Sequence, residues 1–197
     1  MDPLSNVVSS LKREKIIPDV MPPSFAPSVL FSVVWPNGSE AVMGNFLSRE
    51  DTLEEPEVNF VPLIVPDAPK AAQDVTYTLV MTDPDAPSRA NPKFGQFRHW
   101  VITGLKVPAP GTENPSAVKT KLSATPYRPP GPPPGSGVHR YIFLLFEEPA
   151  SGFTVPQGAL EHGGAPEDRR NWNAVDFGNK YGLKLVGANF FLVQAAE

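Results

Sequence analysis

Two aspartates, two histidines and a tyrosine stand at the ends of the most strand-like segments of this 197-residue chain. Asp83 and Asp85 follow Tyr77–Thr82, separated by Pro84 and locked by Pro87. His99 opens the segment His99–Ile102, and His139 leads into Tyr141–Phe146. The chain has only three histidines, and two of them occupy these places. Alternate residues of a strand share a face, so His139 and Tyr141 point together and Arg140 points the other way. If the three segments are neighbouring strands, two carboxylates, two imidazoles and a phenol converge at one end of a sheet.

Such a mixture suits a small anion that carries a donor, or a zwitterion. Imidazole donates to an anion and gains from protonation beside it. A carboxylate fixes the imidazole tautomer and accepts from an ammonium or hydroxyl group. Proline-rich and glycine-rich loops add backbone N–H groups held without further ordering cost. Phosphate-type head-groups meet this description. The same histidines and aspartates could instead ligate a metal, although the spacing from 99 to 139 has no local ligand pattern. Acid–base catalysis is a third reading, with His99 or His139 carrying the proton and Asp83 orienting it. A serine-hydrolase triad is not signalled, because Gly135-Ser136-Gly137 lacks the glycine spacing of a nucleophile elbow. Neither a Walker A pattern nor Gly-x-Gly-x-x-Gly is present, and no cofactor is expected. Each residue also has a plain structural reading: Asp-Pro-Asp is an ordinary turn sequence, Arg140 suits a buried ion pair, and His162 reads as surface.

The elements that must position these groups are mostly strands. Apolar residues make up 41% and charged residues 19% of the chain, a globular composition. The 25 prolines and 15 glycines together stay below the level that marks disorder, so they must fill turns, edges and loops. Residues 2–17 read as an amphipathic helix, capped by Asp2, with Leu4, Val7, Val8 and Leu11 on one face and Pro18 as its stop. Further strands are expected at Val29–Trp35, at Val58–Val65 with Pro62 as a defect, and at Leu183–Val193. Residues 48–57 read as an acidic solvated loop. A short helix capped by Asn171 or Asn173 runs to about Tyr181. A long loop, 106–138, carries the stiff tract Pro129–Gly135, which in isolation could pass for a polyproline ligand. The whole reads as one mostly antiparallel β domain with a few peripheral helices. A net charge of −4 argues against nucleic acid and allows at most peripheral membrane contact. No apolar run is long enough to span a bilayer. The absence of cysteine and of a signal-like N-terminus fits a cytoplasmic protein.

At Asp83-Pro84-Asp85-Ala86-Pro87-Ser88 and Gly135-Ser136-Gly137-Val138-His139-Arg140-Tyr141, with His99 between them, the chain resembles the phosphatidylethanolamine-binding protein family. The resemblance covers about residues 25–194. Within the family it is most similar to the fungal branch that includes an inhibitor of the serine protease carboxypeptidase Y, through the N-terminal helix leading to Ile17–Val20, Met43-Gly44-Asn45 and the ending Gly187–Phe191. The resemblance implies a central antiparallel sheet, a second smaller sheet and flanking helices, with residues 1–24 as a helical lead-in to a domain at 25–197. It also implies a shallow anion pocket lined by Asp83, Asp85, Pro87, Phe97, His99, Gly131, Pro132, His139 and Tyr141, with no metal. Three departures stand out. Phe97-Arg98-His99 replaces an aromatic-His-His run, and Pro129 replaces the first glycine of the pocket loop. The chain also ends after Phe191-Leu192-Val193 without the C-terminal helix of animal members, which implies an open mouth.

These features lead to the expectation of a non-enzymatic binding protein that takes phosphate or a phospholipid head-group and inhibits a serine carboxypeptidase. A phospholipid-sensing signalling scaffold is the alternative, and an enzyme using the pocket on a small metabolite is the third.

Overall fold

The computed structural model describes residues 3–61 and 75–197. Its frame is a six-stranded sheet ordered β3 (Asn45–Phe46), β9 (Lys184–Gln194), β8 (Val138–Glu147), β5 (Thr76–Asp83), β6 (Phe97–Lys106) and β7 (Val118–Lys119). Neighbours are antiparallel except β3 and β9, which are parallel. A smaller antiparallel sheet of β2 (Glu40–Ala41), β1 (Leu30–Val34) and β4 (Glu57–Val61) packs on one face. The protein is thus mainly β with two sheets, and β5 lies between β6 and β8, as convergence of the polar groups requires.

Side chains alternate between two cores. Leu79, Met81, Phe143, Leu145 and Phe191 meet Phe31, Val33 and Trp35 of the small sheet. Val80, Ile142, Leu144 and Phe190 face the helices α1 (Pro3–Arg13) and α3 (Ala174–Lys180). With both faces covered, the central strands read as continuous apolar runs, and each fully buried Leu or Phe contributes about 1.5–3 kcal/mol. Residues 3–25 belong to the same core, because Val7, Leu11, Ile16 and Met21 pack on the sheet.

The N-terminal helix is shorter than its periodicity suggests. α1 ends at Arg13, Lys15 takes a left-handed conformation, and a short turn, α2 (Ile16–Asp19), follows with Ile17 extended. The break therefore falls at Lys15 and not at the expected stop, Pro18, which lies within α2 and whose ring drives the preceding Ile17 out of the helical region. The Asp2 cap and residues 62–65 of the Val58–Val65 strand lie outside the described residues. Asn173, not Asn171, caps α3, accepting from the Val175 and Asp176 amides, and Gly182 takes positive φ just beyond its end. The acidic loop is mostly exposed, as expected, with Thr52 and Pro56 as its buried residues. It holds a 3₁₀ turn, Glu50–Thr52, whose Thr52 is buried and accepts from the Tyr127 hydroxyl at 2.7 Å.

One irregularity matters for the site. Met81 pairs with Trp100 but Thr82 pairs with Arg98, so His99 is the extra residue of a β-bulge in β6. The bulge resets the alternation: Trp100 joins the small-sheet core, while Phe97 and His99 remain on that same side. Arg98 points to the opposite face, where it bonds the carbonyls of Leu160, Gly163 and Asp168.

Candidate functional site

A cleft of about 430 Å³ opens where β5, β6 and β8 end, within the range of small-ligand sites. Asp83, His99, His139 and Tyr141 form its floor, Phe97 and Pro87 its sides, and the tract Pro129–Pro133 its wall. The proline tract is therefore packed against the site rather than presented as a free ligand.

Asp83 is held from two sides. Its Oδ1 accepts the Asp85 amide at 2.7 Å, and its Oδ2 accepts His139 Nδ1 at 2.8 Å. A carboxylate accepts here, so Nδ1 carries the hydrogen; in the neutral ring His139 Nε2 then accepts from the Ser136 hydroxyl, 2.9 Å away. Both Asp83 and His139 are buried. His139 and Tyr141 share a face, with their rings nearly parallel at 6.3 Å.

Asp85 does not line the cleft, which corrects its expected role. The turn at Pro84 sends it to the opposite face, where both its oxygens bind Arg140: Nη2 to Oδ1 at 2.8 Å and Nε to Oδ2 at 2.9 Å. Strand alternation explains the partner, because Arg140 faces away from His139 and Tyr141. The structural reading of Arg140 is the one observed.

His99 also differs in chemistry from the expectation of a cation beside an anion. Its Nδ1 lies 2.7 Å from the Arg128 carbonyl, which can only accept, so Nδ1 carries the hydrogen and Nε2 is an acceptor. Burial pushes its pKa down to about 4, further aided by the Arg169 and Arg128 guanidiniums and opposed by the Asp83 carboxylate and the Arg128 carbonyl. The ring is neutral near pH 7. Burial and the Asp83 charge hold the Tyr141 phenol well above its usual range, partly offset by the Gly131 amide, so it stays protonated. The floor therefore offers acceptors at Asp83 and His99 and a donor at Tyr141.

Positive charge comes instead from residues the motifs did not reveal. Arg49, Arg128 and Arg170 line the same cleft and are exposed. Arg170 lies over the Phe94 ring at 4.1 Å, which steadies it. Arg169, beside it, is buried and binds the His99 and Arg98 carbonyls at 2.9 and 3.2 Å, thereby holding the bulge. Burial and the neighbouring Arg128 and Arg98 lower its pKa to about 10. These arginines sit in separate loops with no common spacing, and only the adjacency of Arg128 to the proline tract hinted at any of them. Among the described residues, no three His, Asp or Glu side chains gather in a metal-ligating group. The arrangement suits a group that both donates and accepts at depth and carries negative charge at the mouth.

The chain thus has a mainly β frame of two sheets with a polar cleft at one strand end. The family model for phosphatidylethanolamine-binding proteins matches residues 37–191, and the chain belongs to that family. It is 33% identical over 199 residues to the uncharacterized protein YLR179C of Saccharomyces cerevisiae, covering 96% of this chain and 94% of that protein. It is likewise 33% identical over 212 residues to the carboxypeptidase Y inhibitor of the same yeast, covering 95% and 94%. A crystal structure of carboxypeptidase Y inhibitor with its cognate proteinase superposes with a TM-score of 0.77 at 29% identity, covering 99% of this chain and 98% of that one.

Proposed function

We propose that the protein inhibits a serine carboxypeptidase of the carboxypeptidase Y type, with its cleft taking a phosphate-like group. The observation that supports this is end-to-end likeness to the inhibitor. The family model begins at residue 37, yet the structural likeness takes in 99% of the chain, the N-terminal helical segment included. Residues before the family domain are thus part of what this chain and the inhibitor have in common.

The test is a titration of carboxypeptidase Y with the purified protein, following release of a C-terminal residue from a peptide. Inhibition near one equivalent is expected. Removing residues 1–20 would strip buried Val7, Leu11 and Ile16 from the core, so loss of inhibition there would be ambiguous. Deleting only 1–5, or reversing the exposed Lys12 with Lys12→Glu, spares them. Full peptidase activity at large molar excess of the intact protein would overturn the proposal.

The arginine rim favours a second reading, in which the cleft senses a phospholipid head-group or a phosphorylated partner. Phosphate-competitive binding that depends on Arg128 and Arg170 would support it, and binding unchanged by both substitutions would count against it.

A further inference from the structure

One chain of hydrogen bonds is not needed for either binding reading. Ser136 Oγ lies 2.9 Å from His139 Nε2, to which it donates when the ring is neutral, and His139 Nδ1 donates to Asp83 Oδ2 at 2.8 Å. The order hydroxyl, imidazole, carboxylate is that of a nucleophile, its base and the group that orients the base, and such relays are recognised by geometry rather than by sequence position. The base and the orienting group are rigid: His139 is 1% exposed and Asp83 3%. Asp83 is further fixed by the Asp85 amide at 2.7 Å. Ser136 itself is partly exposed and sits in the loop between Pro133 and His139, both of which line the cleft. Ser136 is not itself a lining residue; its hydroxyl reaches the cleft through its bond to His139, which lines it.

We propose that Ser136 is a nucleophile toward small carboxylic esters that carry an anionic group. Oγ attacks the carbonyl carbon, and the new Oγ–C bond forms as the ester C–O bond breaks. The Oγ proton passes to His139 Nε2 and then to the departing alkoxide, which leaves as the alcohol. Asp83 stabilises the imidazolium formed in between. Water then cleaves the acyl-serine by the same proton route, releasing the carboxylic acid. Arg128 and Arg170 hold the anionic end of the substrate. The strands supply the relay without a strained elbow, because β8 presents His139 three residues after the serine.

The proposal stands apart from protease inhibition, which can fail or succeed independently. The experiment mixes the intact protein with 4-nitrophenyl acetate and, separately, with mono-4-nitrophenyl succinate. It follows nitrophenolate release and maps the acylated peptide by mass spectrometry. A burst of one equivalent, an acyl group on Ser136 and several-fold faster reaction of the succinate ester are expected. Ser136→Ala removes the burst with an unchanged melting temperature, and His139→Gln slows it by about 100-fold. If the alanine variant does not fold, the peptide map of the unaltered protein decides. Acylation only at lysines, or at Ser136 no faster than in the urea-unfolded chain, overturns the nucleophile. Equal rates for the two esters overturn the anionic substrate class.

Discussion

Asp85 and Arg140 form a buried bidentate pair that ties the turn bearing Asp83 to the N-terminal segment. Beyond its two side-chain bonds, Asp85 Oδ2 also accepts the Arg140 amide at 3.0 Å. Arg140 Nη1 continues to Asp19 at 2.8 Å and to the Glu14 carbonyl at 2.9 Å. Removing one partner leaves a buried charge unmatched, so Arg140→Met or Asp85→Asn is expected to cost about 3–5 kcal/mol. The Asp19 carboxylate is 44% exposed, and Asp19→Asn is expected to cost less than about 1 kcal/mol. Urea unfolding of the three variants checks this order.

His99 gives stability a defined pH dependence. Its folded pKa, about 4, lies below the ordinary 6.5, so the unfolded chain takes up a proton first as pH falls. Its contribution is complete above about 6.5 and declines as pH drops toward 4, with a slope of up to about 1.4 kcal/mol per pH unit. His99→Gln should flatten the denaturation midpoint across that window. Ring NMR signals of His99 in the intact protein should remain those of neutral imidazole at pH 5.5.

Gly95 is the site where a single methyl group should disturb the cleft. A Cβ there would overlap the Pro84 carbonyl, which is backbone and cannot swing aside. Gly95→Ala is expected to cost about 1–3 kcal/mol, and more if the turn cannot shift. The informative readout is binding as well as melting, because Pro84 separates Asp83 from Asp85. Gly131→Ala, where a Cβ would meet open space, is the matched control and should melt as the unaltered protein does.

If the cleft takes phosphate, the exposed arginines should act through screened charge. Arg128→Ala and Arg170→Ala are each expected to weaken inorganic phosphate binding by up to about fivefold, since exposed ion pairs contribute about 0.2–1 kcal/mol. Raising salt to several hundred millimolar should shrink these differences. Isothermal calorimetry in a non-phosphate buffer measures both effects.

The strands and the polar floor were legible in the sequence for a physical reason. β5 and β8 are buried on both faces, so they read as apolar runs whose ends stand out when Asp83 or His139 appears. Alternation placed His139, Arg140 and Tyr141 correctly. The rest depended on features without a local pattern. The bulge at His99 breaks the period-two rule, the Asp-Pro-Asp turn sends its two carboxylates to opposite faces, and the rim arginines come together only in three dimensions. The contact of Ser136 with His139 likewise has no local signature, because hydrogen-bond reach depends on where the chain brings the groups and not on the spacing of flanking glycines.

The rim arginines are exposed and the floor is not, which divides the cleft into parts with unequal freedom to change. Replacing Arg49, Arg128 or Arg170 removes few packed atoms, whereas altering Asp83, His139 or Arg169 breaks buried hydrogen bonds. The chemistry of the mouth can therefore be changed while the buried scaffold stays as it is. A library that randomises those three positions should yield folded proteins at high frequency.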